Sequence, residues 1–102
     1  GGNPSIIEDL KDLPGDSYRD IVLIIPTTEP IWTNKRSVVL GVQDCEGAIA
    51  TTVMGTRLYE QIRNNDGMII AVAKIKTSPP KEGAVKFLTT SLNIVYPKPS
   101  IA

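Results

Sequence analysis

Histidine is absent from the 102 residues, which removes the commonest general base, the usual imidazole metal ligand and the neutral-pH switch together. Cysteine occurs once, as Cys45, so neither an internal disulfide, a Cys-rich zinc site nor a CxxC redox pair can form, and a reducing compartment is favoured. With no histidine to activate it, Cys45 lacks the setting of a nucleophile. Asp44 and Glu46 on either side of it read as turn residues before they read as an acid-base pair or metal ligands. No catalytic residue, metal or cofactor is expected. The remaining chemistry lies in cations and aromatic rings: Lys35, Arg36, Lys74, Lys76, Lys81 and Lys86, with Trp32 and Phe87, the sole tryptophan and phenylalanine. Cations of this kind pair with anionic oxygens, and flat rings stack or lend cation-π support.

Eleven Lys and Arg balance eleven Asp and Glu, so no overall field draws the chain to a polyanion or a membrane, and anion binding has to come from local clustering. Apolar residues at 41% and charged residues at 22% match ordinary globular usage and a single domain, not a disordered chain. No apolar run approaches the roughly 20 residues of a bilayer span. Gly1-Gly2 and the proline-bearing tail Pro97 to Ala102 read as the edges of one module within a longer protein.

The elements that must position these side chains follow from periodicity. Ile6, Ile7, Leu10 and Leu13 recur at near-helical spacing before Pro14-Gly15, giving a lead-in over residues 1–17 that packs on the domain. Tyr18 to Pro26 is a β-branched run that predicts a first strand buried on both faces. Pro26 and Pro30 interrupt it, and Thr27 to Lys35 reads as a long loop around Trp32. Ser37 to Gln43 and Ala48 to Met54 are strand-like on either side of Asp44-Cys45-Glu46-Gly47, a hairpin. Gly41 in mid-strand predicts a bulge, or else a place where a ligand backbone approaches. A short helix over Arg57 to Arg63 carries Leu58 and Ile62 on one face. Met68 to Lys76 sets Ile69, Ala71, Ala73 and Ile75 against Ile70, Val72, Lys74 and Lys76. Ala84 to Tyr96 alternates with Leu88, Thr90, Leu92 and Ile94 opposite Phe87, Thr89, Ser91 and Asn93, which puts Phe87 on the outward side.

One helix between the third and fourth of five strands, over residues 18–96, predicts an all-β five-stranded OB-fold, a Greek-key barrel whose helix plugs one end. The segments Ile6-Ile7-Glu8-Asp9-Leu10, Ser37 to Ile49 with its Asp-x-x-Gly turn, and Val53-Met54-Gly55 carry a further likeness. So do the helix and the following Asn65-Asp66-Gly67-Met68-Ile69-Ile70. Together they resemble the single-stranded-DNA-binding domains of replication protein A and its relatives, over most of the chain.

That resemblance implies a site on the second and third strands, flanked by the loops Thr27 to Arg36 and Thr77 to Gly83. Lys35, Arg36, Lys74, Lys76, Lys81 and Lys86 fall in or beside these loops, against Glu29 and Glu82. Glu8, Asp9, Asp12, Asp16 and Asp20 crowd the N-terminal segment, away from them. The implied function is non-catalytic binding of single-stranded DNA, with Trp32 and Phe87 stacking bases and the six cations meeting phosphates. It implies a nuclear module of a larger replication, repair or telomere-type assembly, in contact with its other subunits. Strands two and three present no aromatic residue, which disfavours an RNA-binding barrel of the cold-shock kind. The alternative is a protein-interaction or dimerisation module in which Ile70, Val72, Val39 and Phe87 form an apolar patch.

Overall fold

A computed structural model describes residues 3–79 and 81–98. Gly1, Gly2, Pro80 and residues 99–102, and with them most of the expected tail, lie outside the described residues. The elements run α1 (Ile7–Leu10), β1 (Tyr18–Pro26), β2 (Trp32–Thr33), β3 (Ser37–Gln43), β4 (Ile49–Gly55), α2 (Thr56–Glu60), β5 (Met68–Thr77) and β6 (Val85–Tyr96). Strand order is β1-β5-β6-β4-β3, and a β1–β3 pairing at Ile24 and Gln43 closes the sheet. All of its pairings are antiparallel except β4 with β6. The result is a closed five-stranded barrel with one short helix between β4 and β5, compatible with an OB-fold. No helix among the described residues is long and apolar enough to cross a membrane.

The core follows the period-two patterns. Ile21, Leu23 and Ile25 of β1, Val38, Leu40 and Val42 of β3, and Ile69, Ala71, Ala73 and Ile75 of β5 all point inward and are buried. Ile62, just past α2, is fully buried, with Leu58 and Tyr59 packed against the same core. One expectation for β1 fails: Val22 and Ile24 are only half-buried, so the strand is buried on a single face. A run of five apolar residues does not by itself reveal that nothing covers its second side.

A second expectation fails in β6. Phe87 is 1% exposed and belongs to the core. Its partner Thr77 and the pair Thr52–Phe87 are likewise buried, so the ring points into the barrel. The reason is a break in alternation. Register shifts between Lys74 and Ile75 and again between Ile70 and Ala71 put an extra residue into β6 at each place. Past the first, Leu92 and Ile94 pair with the inward Ala73 and Ala71, where an unbroken alternation would have set them opposite Phe87. An added residue flips the side of everything beyond it and increases local twist, which a closing strand requires.

Where β4 meets β6 in parallel, two buried threonines satisfy one another. The Thr52 and Thr89 hydroxyls are 2.7 Å apart, and the Thr52 hydroxyl donates to the Phe87 carbonyl at 2.9 Å. At the β3–β4 turn, Asp44 is 1% exposed. Its Oδ1 accepts from the Glu46 and Ala48 N–H groups at 2.9 and 3.0 Å, and its Oδ2 accepts from the Ile7 N–H at 2.7 Å. Gly47 supplies the positive φ of 85° that tightens this turn. One carboxylate therefore shapes the hairpin and fastens α1 to it, satisfying a first-turn N–H that the four-residue helix cannot pair itself.

Asp44→Ala is expected to destabilise the fold by about 3 kcal/mol, because it leaves buried N–H groups without their acceptor. Asp44→Asn is expected to cost less and to accelerate amide exchange first at Ile7; urea melts and exchange spectra check both. Thr52→Val should cost about 1–2 kcal/mol by stranding the Thr89 hydroxyl, and adding Thr89→Val should recover most of it. A double mutant no better than the single one would refute the pairing.

Candidate nucleic-acid interface

Trp32 does not sit in an open loop. It begins a two-residue strand that pairs with β3, Trp32 opposite Val39 and Thr33 opposite Val38. The Ile31 N–H donates to the Val39 carbonyl at 2.8 Å, and the Asn34 N–H donates to the Ser37 carbonyl at 2.9 Å. Oδ1 of Asn34 accepts from the N–H groups of Arg36 and Ser37, both at 2.8 Å, which turns the chain into β3. Two residues are too short a run for alternation to register, so this strand has no sequence signature of its own.

Because directly paired residues share a face, Trp32 lies with Val39 on the outside of the barrel. The register continues this row across the sheet from Val39 to Val53, then Leu88, then Lys76. Trp32 is 53% exposed and Leu88 38% exposed, while Val39 and Val53 are half-buried. Two residues further along β3 a second row runs from Gly41 to Thr51 to Lys86. Past it lie Gln43 and the exposed Ile49. The outer surface of β2, β3, β4 and β6 thus holds an apolar row ending in an indole beside a polar row ending in an ammonium.

The expected bulge at Gly41 is absent. Leu40–Thr52, Gly41–Thr51 and Val42–Ala50 pair in unbroken register.

The six predicted cations separate. Lys35 and Arg36 are exposed in the turn between β2 and β3, at the Gly55 end of the face, where the Arg36 carbonyl accepts from the Thr56 N–H. Lys86 and Lys81 stand toward the other end, on a cleft of about 540 Å³ between α1 and the β5–β6 loop, with Lys11, Leu10, Pro79 and Val85. Lys74 and Lys76 lie on β5, which β6 and β4 separate from β3. Nor are the N-terminal acids distant from them. The antiparallel register of β1 with β5 sets Asp20 opposite Lys74. The Lys74 ammonium is 3.6 Å from Asp20 and the Lys76 ammonium 3.3 Å from Asp16. Such exposed pairs add little stability, but they offset the field that a phosphate would meet there. The polarisation expected from chain position is therefore partly cancelled by strand pairing. The expected apolar patch is also divided: Ile70 and Val72 face outward on β5, Val39 on β3, and Phe87 is inside.

Two further residues that were not among the predicted contacts join Trp32. Tyr59 and Arg63 line a groove of about 690 Å³ with Glu29, Pro30, Ile31 and Trp32. The Tyr59 hydroxyl donates to the Thr28 carbonyl at 3.3 Å, holding the segment before β2 against α2. Tyr59 lies one turn before Arg63, but only the fold brings both to residue 32.

Searches of protein-family models, curated proteins and solved structures found no match to this chain.

As the sole tryptophan, Trp32 reports this surface directly. Half exposed, it is expected to emit at longer wavelength than a buried indole and to be readily quenched by acrylamide. Blue-shifted, weakly quenched emission would show that the ring is packed away.

Proposed function

We propose that this protein is a non-catalytic module that binds single-stranded DNA across the outer face of β2, β3, β4 and β6. The observation that carries the reading is the position of Trp32, an exposed ring held by strand pairing in line with Val39, Val53 and Leu88. Sequence-tolerant binding of single strands combines aromatic platforms with cations that follow the phosphates, each stacked base contributing about 1–3 kcal/mol. Lys35 and Arg36 at one end of the face and Lys86 with Lys81 toward the other supply the cations. Lys74 and Lys76 are not assigned to the site: each has a carboxylate beside it, Asp20 and Asp16, although Lys76 stands next to Leu88 at the end of the Trp32 row. Phe87 is removed from it by burial.

With one exposed indole on the face and a balanced net charge, affinity of the isolated module is modest. Several such modules joined in one assembly gain apparent affinity through effective concentration. A second reading, contact with a protein partner or a second copy, draws on the outer face of β1 and β5. There Val22 pairs with Val72 and Ile24 with Ile70, all half-buried, beside the exposed Tyr96.

A titration with an unstructured thymidine oligonucleotide is expected to quench Trp32, with affinity falling as salt rises at a slope of about −0.7 per phosphate contacted. Trp32→Ala should weaken binding by about 1–3 kcal/mol. Replacing Lys35 and Arg36 together by Ala should lower the slope by about 1 to 1.5, with Lys74→Ala leaving it unchanged. No binding at high micromolar oligonucleotide, with a dimeric mass in solution, would move the assignment to the second reading.

A further inference from the structure

Glycine weakens a strand, since it loses the most backbone freedom on folding and offers no side chain for packing, so a glycine in mid-strand calls for a local reason. At Gly41 neither backbone sign, register nor crowding supplies one. Its φ is not positive, unlike those of Gly47, Gly67 and Gly83. Its register on β4 is unbroken, so no bulge needs it. A Cβ built there meets nothing within 4 Å among the described residues, in contrast to Gly15, whose Cβ would come within 3.0 Å of Pro79. A larger residue fits the barrel, and a β-branched one would suit the strand better. What the glycine does is leave the backbone of β3 bare on its outer side.

The position of that bare spot is informative. Gly41 begins the row that continues through Thr51 to Lys86, a glycine, a hydroxyl and an ammonium side by side. The neighbouring row, two residues away along β3, is Trp32, Val39, Val53 and Leu88. Same-face rows on a sheet are separated by about 6.6 Å. The apolar row suits bases and the polar row suits the sugar-phosphate chain that carries them.

We propose that Gly41 is kept small so that the sugar-phosphate backbone of a single strand can lie directly on β3, running across the sheet along Gly41, Thr51 and Lys86 while its bases rest on the Trp32 row. The inference rests on the single-strand reading above and adds to it the path of the ligand and a positioning residue that carries neither charge nor ring.

The test pairs stability with binding in the intact chain, using Gly41→Val and the milder Gly41→Ala. Both variants are expected to melt at or above the wild-type temperature. Affinity for a fluorescein-labelled thymidine oligonucleotide is expected to fall by about tenfold or more for Gly41→Val and less for Gly41→Ala. Wild-type affinity in Gly41→Val, while Trp32→Ala loses binding, would overturn the proposal and leave the single-strand reading standing. A wild-type protein that does not bind the oligonucleotide would overturn both. If Gly41→Val and Gly41→Ala both melt well below the wild type, the glycine serves the fold, and the proposal fails for that reason.

Discussion

The last strand must satisfy two neighbours at once, and the shape of the barrel depends on how it does so. β6 runs antiparallel to β5 along most of its length and parallel to β4 over residues 85–88. A sheet closes only if its strands coil, and the two register shifts along β5 and β6 supply the extra twist. Beyond the shift near Ile75, Leu92 and Ile94 turn inward to meet Ala73 and Ala71, while Phe87 and Thr89 before it are already inside. Closure thus places the only phenylalanine in the core and leaves Leu88 outside, in the row that begins with Trp32. It also accounts for the polar pair in the seam, since Thr52 and Thr89 fill the parallel junction with hydroxyls that answer each other.

The remaining scaffold is fastened at its ends by hydrogen bonds between distant segments. Asp44 holds α1 to the β3–β4 hairpin. Thr77 performs a similar service for the turn before β1, its hydroxyl donating to the Pro14 carbonyl at 2.8 Å and accepting from the Ser17 N–H at 2.9 Å. Both polar side chains are buried, and each is matched by partners. The lead-in segment is accordingly part of the domain, with Ile7 and Leu10 in its core. The face that bears Trp32 is built on β3 and β4, whose register has no break, so its two rows are set by regular pairing and not by loop conformation.

Electrostatics on this molecule is a matter of placement. With equal numbers of acidic and basic residues, a surface becomes cationic only where the carboxylates lie elsewhere. The register of β1 on β5 brings Asp20 to Lys74, and the turn before β1 brings Asp16 to Lys76. Glu8 pairs with Lys11 and Glu60 with Arg63 at 3.0 Å. Lys35 and Arg36 stand in a turn whose closing bonds come from Asn34, a neutral side chain. The cationic character of the proposed face therefore lies at its two ends.

What the sequence determined by itself is what rests on local periodicity and on residue types that are missing. The β-branched run Tyr18 to Pro26, the strand-like Ser37 to Gln43 and Ala48 to Met54 about the Asp44 to Gly47 turn, and the alternation of Met68 to Lys76 marked four strands, and the order of elements indicated the barrel. The absence of histidine and the single cysteine narrowed the chemistry without any coordinates. Tertiary structure decided whatever depends on register. A bulge leaves no mark on alternation until a partner strand is present, so the side taken by Phe87 was not legible. Two residues of β2 carry no period, so the pairing that fixes Trp32 had to come from β3. Whether Lys74 and Lys76 face a carboxylate depends on which strand lies beside β5, a long-range pairing to which chain position is blind. The bareness of Gly41 belongs to the same class: the residue is visible in the sequence, but only its neighbours in space show that a side chain there would meet open space.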